Sequence, residues 1–139
     1  MHDCALRLLA RRAHSQQELA HKLATRGFSH EEVEMECERL LDVGLLDDLA
    51  FSHGYIRARA NRGLGPVRIK AELAARGVDR DTIATALEDC DIDWSELRSM
   101  VEAKKRRQQR DTGREAAVKR ARFLHYRGFG GIQAQEQES

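Results

Sequence analysis

The sequence has little that would build a β-sheet or cross a membrane. Its 139 residues include one Pro and 5% aromatics, and no stretch alternates Val, Ile and Thr with polar residues, so helices are favoured throughout. No apolar run approaches the length of a bilayer span, and the N-terminus lacks the apolar centre of a signal peptide. We therefore expect a soluble, cytoplasmic protein without membrane contact.

The sequence also lacks the motifs of an enzyme or a metalloprotein. It has no glycine-rich phosphate loop after a strand, no G-x-S-x-G and no H-E-x-x-H. Its six His are scattered, and its acidic pairs precede predicted helices, where capping explains them. The three cysteines, Cys4, Cys37 and Cys90, are odd in number and form no C-x-x-C pair. We expect them to be free thiols on the apolar sides of helices, and we predict no catalytic residue, cofactor or metal.

One pattern is present three times. The segments 22–28, 72–78 and 123–129 each end in Arg, Gly and an apolar residue, and their glycines, Gly27, Gly77 and Gly128, are 50 and 51 residues apart. Glycine in this position is typical of a helix C-terminus, where the chain turns through the left-handed region. A period near 50 predicts an all-α fold, an elongated array of three tandem three-helix repeats. We place the repeats at residues 1–48, 49–93 and 94–139.

Local signals divide each repeat into helices. Capping boxes at Ser15–Glu18 and Ser29–Glu32 predict the starts of two helices in the first repeat. The remaining starts are predicted at Asp47–Asp48, Pro66, Asp79, Asp93 and the box Thr112–Glu115. The third helix should turn Glu31, Glu32, Glu34, Glu36 and Glu38 mostly to solvent, and the fourth should bury Phe51, Tyr55 and Ala58. After Gly130–Gly131, the ninth helix should be short or frayed.

Charge is distributed unevenly along the chain. The net charge of +1 hides a gradient from −4 in residues 1–48, through zero in 49–93, to +5 in 94–139. Such a dipolar molecule can present its basic end to a polyanion or to an acidic protein surface.

Two groups of cations are candidate binding residues. One surrounds the Gly63–Pro66 elbow, which can bring two helix faces together, and the other occupies about two helical turns of the third repeat. The members are Arg57, Arg59, Arg62, Arg68 and Lys70 at the elbow, and Lys104, Lys105, Arg106, Arg107 and Arg110 in the third repeat. Dense cations repel one another unless a partner neutralises them, although a solvated helix face is the plain alternative. Aromatic residues are not interleaved with these cations, so a base-stacking platform is poorly supported.

Several segments together resemble the RecX family, bacterial regulators of the RecA recombinase, over about residues 5–129. These segments are Leu9-Ala-Arg-Arg-Ala-His-Ser-Gln-Gln-Glu-Leu19, Gly44-Leu-Leu-Asp-Asp48, Arg62-Gly-Leu-Gly-Pro-Val-Arg-Ile69, Asp89-Cys-Asp-Ile-Asp-Trp94 and Arg122-Phe-Leu-His-Tyr-Arg-Gly-Phe129. The resemblance implies three three-helix repeats that bind the RecA filament on DNA. It also implies inhibition of strand exchange, ATP turnover and co-protease activity, and hence modulation of DNA repair and the SOS response. The family's apolar and acidic last helix is replaced here by residues 129–139.

Two other functional classes remain open on the residues alone. A helix-turn-helix DNA reader would need a cationic recognition helix, whereas the third helix of the first repeat is acidic and that of the second carries only Arg80 at its start. A passive helical scaffold would have no effect on RecA. We expect a monomer that binds the RecA filament, with single- or double-stranded DNA as a candidate direct partner.

Overall fold

The computed structural model describes residues 1–110 and 112–130, and within them the fold is all-helical with no strand. Its eight helices are α1 (His2–Arg11), α2 (Gln16–Thr25), α3 (His30–Asp42), α4 (Asp48–Asn61), α5 (Pro66–Ala75), α6 (Arg80–Asp89), α7 (Trp94–Gln108) and α8 (Arg114–Tyr126). None of the helices in this part of the chain is long and apolar enough to cross a membrane. The predicted ninth helix falls largely on residues 131–139, outside those described.

The three glycine caps are confirmed. Gly27, Gly77 and Gly128 have φ of 95°, 84° and 98°. Each cap has the two hydrogen bonds of a Schellman motif, shown at the last by Phe129 N donating to Leu124 O at 3.0 Å and Gly128 N donating to His125 O at 3.0 Å. The repeated pattern therefore ends α2, α5 and α8 by one mechanism, because each apolar residue after the glycine folds back over the helix that it terminates.

Most helix starts are also where the caps predict them. Both capping boxes form, with Ser15 accepting from Glu18 N and Ser29 accepting from Glu32 N. Asp93 Oδ1 accepts from Glu96 N at 3.0 Å at the start of α7. The predicted box at Thr112–Glu115 is wrong, because α8 follows Gly113, at φ 88°, without a side-chain cap. Glycine is a tolerated N-cap residue, although it has no side chain to accept from the first N–H groups of the helix.

The helices group into two compact units. One comprises Met1–Gly54 with Leu73–Glu88, and the other Tyr55–Glu72 with the chain from Asp89 onward. The first unit has 8 Lys/Arg and 13 Asp/Glu, a net charge of −5, and the second has 16 and 10, a net charge of +6. Charge is thus separated more sharply between the units than along the sequence. The division into repeats at residues 48 and 93 stays a prediction.

The first unit has an apolar core with one buried acid. Ala5, Leu19, Leu23 and Leu40 are fully buried where α1, α2 and α3 pack together. Glu36, expected outside, is only 2% exposed. Burial of this acid is tolerated because two side chains bind its carboxylate, His2 through Nδ1 at 2.5 Å and Arg39 through Nη1 at 3.5 Å.

Two sequence expectations about burial are corrected. In α4 the predicted edge is partly wrong, since Phe51 is buried but Tyr55 is half-buried and Ala58 exposed; Ile56 and Ala60 are buried instead. Cys4 and Cys37 are buried and free, as expected, whereas Cys90 lies just past α6 and is half-buried. Burial raises the pKa of the Cys37 thiol, which keeps it protonated and unreactive.

In the first unit, one Arg-Gly cap is covered by the start of another helix. Ser15 Oγ, at the N-cap of α2, donates to Arg76 O at 2.7 Å. Arg76 Nε lies 3.7 Å from Glu18 Oε2. A Cβ on Gly77 would lie 2.5 Å from Gln17 Cβ. The first turn of α2 therefore rests directly on the cap that ends α5, and this arrangement is referred to below as a docked cap.

Buried His14 is expected to make stability depend on pH. Its Nδ1 donates to Arg12 O at 2.9 Å and its Nε2 accepts from Lys22 Nζ at 3.0 Å. Burial, aided by the charges of Arg12 and Lys22, lowers the pKa of His14. Because the unfolded chain then takes up the proton more readily, stability present above about pH 6.5 is lost as the pH falls further. Urea unfolding at about pH 7.5 and about pH 5.5 should show this loss.

The matched variants for this prediction are His14→Gln and His21→Gln, since His21 is exposed on α2. The first should flatten the dependence of unfolding free energy on pH, and the second should leave it unchanged. An equal dependence in His14→Gln and the unsubstituted protein would contradict the assignment.

Candidate anion-binding surface

The Gly63–Pro66 elbow in the second unit is fixed against the end of α8. Gly65 N donates to Arg127 O at 2.7 Å and Val67 N donates to Gly128 O at 3.1 Å. Arg127 Nη1 donates to Arg62 O at 2.9 Å. This is a second docked cap, in which the start of α5 rests on the cap of α8. Because two of these hydrogen bonds join backbone to backbone, the elbow is held in one conformation and does not act as a flexible hinge.

Two of the five predicted elbow cations are tied to one carboxylate. Arg59 binds Glu72 through Nε at 2.9 Å and Nη2 at 3.0 Å, and Arg68 Nε donates to Glu72 Oε2 at 3.1 Å. Tyr55 Oη also donates to Glu72 Oε1 at 2.8 Å. The Arg68 guanidinium lies 4.8 Å from the centre of the Tyr126 ring. Arg59 and Arg68 thus brace α4, α5 and α8, and their charge is partly neutralised inside the protein.

The Glu72 network gives a second prediction. Burial alone would raise the pKa of Glu72, but hydrogen bonds from Arg59, Tyr55 and Arg68 outweigh it, and the pKa is lowered. Since the folded pKa is below the unfolded one, the network stabilises the fold above about pH 4.3, and the gain is lost as the pH falls through the folded pKa. Glu72→Gln should lower the unfolding free energy at neutral pH by about 1–3 kcal/mol.

Urea unfolding from neutral to acid pH would test this prediction, with Glu88→Gln as a control because Glu88 is exposed on α6. The Glu72→Gln difference should shrink in acid as the unsubstituted carboxyl becomes protonated. A difference that stays constant with pH would contradict the assignment of its cause to this ion pair.

The remaining elbow cations are exposed. Arg57 on α4, Arg62 just after α4 and Lys70 on α5 form no ion pair among the described residues. Their side chains are therefore available to a partner, whereas those of Arg59 and Arg68 are engaged by Glu72.

The second predicted cluster lies on α7 and just beyond it. Lys104, Arg106 and Arg107 are exposed on the helix, and exposed Arg110 follows its end. Lys105 is half-buried because its Nζ lies 4.9 Å from the centre of the Phe123 ring. The Arg127 guanidinium contacts the same ring at 5.0 Å. Phe123 of α8 therefore holds two cations in place by cation–π contact.

Part of this cluster and part of the elbow line one groove. The groove has a volume of about 520 Å³, with Leu97, Met100, Val101 and Phe123 among its apolar lining residues. Its cations are Arg62, Lys104, Lys105, Arg107 and Arg127, and it has no acidic lining residue. Arg57, Lys70, Arg106 and Arg110 lie outside it.

This arrangement suits an anionic partner with an apolar part. Five cations beside a low-dielectric floor focus a positive potential, which attracts phosphates or carboxylates. Arg62 and the α7 cations are 42 residues or more apart in sequence. Sequence reasoning consequently found them as two clusters and missed Arg127 and Phe123 as members; the repeated Arg-Gly pattern named Arg127 only as a cap residue.

The described residues hold no group of His, Cys, Asp and Glu arranged to bind a metal.

Comparison with known protein families assigns this chain to one of them. Family models for the first and the second three-helix domain of RecX match residues 2–40 and 47–87. The chain belongs to the RecX family.

Individual RecX proteins agree with this family assignment. The regulatory protein RecX of Pseudomonas putida strain W619 is 40% identical over 125 residues, covering 90% of this chain and 80% of the relative. That of Halorhodospira halophila strain DSM 244 / SL1 is 43% identical over 132 residues, covering 91% and 79%. A crystal structure of a regulatory protein RecX is similar with a TM-score of 0.80 at 25% identity, covering 93% of this chain. This chain spans 65% of the crystallised one, less than two thirds of its length.

Proposed function

We propose that this chain binds the RecA filament formed on DNA and inhibits its recombinase, ATPase and co-protease activities, thereby modulating DNA repair and the SOS response. Family membership supports the regulatory role, since its relatives carry the name regulatory protein RecX. The observation that supports a binding site on this chain is the groove of the second unit, with five cations and no carboxylate. A nucleoprotein filament offers the phosphates and acidic side chains that such a groove attracts.

The cations divide into two roles in this proposal. Arg62, Lys104, Lys105 and Arg107 would contact the partner from the groove, with Arg127 beside them. Arg59 and Arg68 act as positioning residues, because they hold the elbow through Glu72. Exposed Arg57, Lys70, Arg106 and Arg110 would add long-range attraction, which salt screens.

A helix-turn-helix reading is less well supported. The third helices of the matched domains are α3 and α6; α3 has five Glu, and α6 has Arg80 as its one cation. Neither would approach phosphates favourably as a recognition helix. The cations of the second unit could instead contact DNA of any sequence through its backbone.

The decisive experiment measures RecA ATP hydrolysis and strand exchange on single-stranded DNA while this protein is titrated. We expect inhibition of both reactions, and of the filament's co-protease activity in parallel. Strong inhibition well below one molecule per RecA would favour capping of filament ends, whereas a need for near-saturating amounts would favour binding along the groove. No inhibition would reject the proposal in favour of a passive scaffold. Sequence-selective binding to duplex DNA without RecA would favour the DNA reader.

A further inference from the structure

Four Arg-Gly caps occur among the described residues, and two of them are docked. At Arg76–Gly77 and at Arg127–Gly128, the carbonyl oxygen of the arginine accepts a hydrogen bond at 2.7 Å from the N-cap residue of another helix. The first turn of that helix lies on the glycine, where a Cβ would come within 2.5 Å of a side-chain carbon. At a third, Arg62–Gly63, the Arg62 carbonyl oxygen accepts instead from the side chain of Arg127. A helix start therefore occupies two of the three Arg-Gly caps whose arginine carbonyl has a partner.

The Arg26–Gly27 cap has the same backbone but no helix on it. Arg26 has φ −85° and ψ 6°, close to the −73° and −6° of Arg127. Gly27 has φ 95°, and a Cβ built on it would meet nothing within 4 Å. Among the described residues no donor reaches Arg26 O, and Arg26 is exposed. The carbonyl oxygen of Arg26 and the backbone of Gly27 are thus exposed to solvent.

A groove adjoins this cap. It has a volume of about 440 Å³ and is lined by Cys4, Leu8 and Ala10 together with three arginines, Arg7, Arg11 and Arg26. The arginines are exposed and form no ion pair among the described residues. They are a local positive patch on a unit whose net charge is −5.

We propose that Arg26–Gly27 and this groove, together called the α2 docking site, bind the N-terminal turn of a helix from a partner protein that carries a carboxylate in that turn. The two docked caps are the precedent for a helix start as the occupant. The carboxylate follows from the three unpaired arginines, and Glu18 beside Arg76 is the internal precedent. The site is independent of the RecA assignment.

Two other occupants are a nucleic acid, which fits less well, and a second copy of this chain. A nucleic acid would bring continuous negative charge to a unit that is itself negative, with exposed Glu31, Glu34 and Glu38 on α3. A second copy of this chain could offer the exposed, acidic start of α3, with Glu31 and Glu32 in its first turn. Self-association of the full chain that Arg26→Glu abolishes would therefore overturn the choice of a separate partner protein, which a chain that stays monomeric supports.

The probe is a peptide that copies the helix start already docked in this protein. It has an acetylated Ser-Gln-Gln-Glu, as in residues 15–18, followed by three Ala-Ala-Ala-Lys repeats that maintain the helix. Titrated into the ¹⁵N-labelled full chain, it should shift backbone amides around residues 7–11 and 24–28, with a dissociation constant on the order of 1 mM. A matched peptide with Lys in place of its Glu should bind more weakly.

Charge exchange provides the control. The Arg26→Glu protein should bind the Glu peptide up to about fivefold more weakly, as expected for an exposed ion pair, and should bind the Lys peptide better than the unsubstituted protein does. Shifts absent from Arg26 and Gly27, or confined to the occupied Arg76–Gly77 cap, would overturn the proposal. An affinity for the Glu peptide that Arg26→Glu leaves unchanged would overturn it equally.

Discussion

Replacing Gly128 with Ala is expected to lower the unfolding free energy by about 3 kcal/mol or more, the largest effect of any single change considered. Two costs add at this position. The residue has φ 98°, in the left-handed region that costs an L-residue roughly 1–2 kcal/mol. Its new Cβ would lie 2.5 Å from Arg68 Cβ and 2.6 Å from Arg68 N. Because the second contact is with backbone that cannot rotate away, overpacking adds about 1–3 kcal/mol.

Substitutions at three other glycines distinguish the cost of backbone strain from the cost of steric overlap. Gly27→Ala has the strain at φ 95° without any contact, so about 1 kcal/mol is expected. Gly65→Ala has no positive φ, but its Cβ would lie 2.6 Å from Gly128 O. Gly77→Ala should approach Gly128→Ala, because its Cβ would lie 2.5 Å from Gln17 Cβ, which side-chain rotation does not move. Urea midpoints of the four variants measure the order, and equal losses at Gly27 and Gly128 would contradict the docked-cap geometry.

The helix ends could be predicted from sequence because their causes are local. A Schellman cap or a capping box is formed by residues within six positions of one another, so Gly27 and Ser15 identify their own roles. The prediction at Thr112 is wrong because the helix begins one residue later, with Gly113 at φ 88° as its N-cap and no side-chain cap. When two capping signals are adjacent, local pattern alone does not decide between them.

Burial and pairing depend on distant residues and were predicted less well. Glu36 lies on the buried stripe that the spacing of Val33 and Leu40 predicts, but its residue type favoured an exposed position. Its carboxylate is tolerated there because His2, 34 positions away, binds it. Glu72 was within reach, since Arg68 and Glu72 are four positions apart on one helix, the spacing of a helical ion pair. Counting cations without their helical neighbours made Arg59 and Arg68 look as available as Arg62.

Reversing the charge of the groove is expected to produce the largest loss of function. The variant Lys104→Glu with Arg107→Glu places two carboxylates among Arg62, Lys105 and Arg127. Both positions are exposed, so the fold should survive, with a change of a few tenths of a kcal/mol for each substitution. If the groove binds phosphates or acidic side chains of the RecA filament, the concentration needed for half-inhibition of ATP hydrolysis should rise at least about tenfold. Its dependence on salt should also become weaker.

The matched control is Arg106→Glu with Arg110→Glu, which changes the net charge equally at exposed positions outside the groove. A small loss of inhibition in the control variant and a large loss in the groove variant would locate the contact in the groove, since a purely long-range attraction would weaken both alike.

An elbow variant with Arg59, Arg62 and Arg68 changed to Ala is a poorer test. Two of its substitutions remove the ion-pair partners of Glu72 and should destabilise the fold. Arg62→Ala alone leaves that network intact and should reduce inhibition with no change in melting temperature. Full inhibition by the folded groove variant across about 50–200 mM salt would reject the charge-based mechanism and move the filament contact to the acidic first unit.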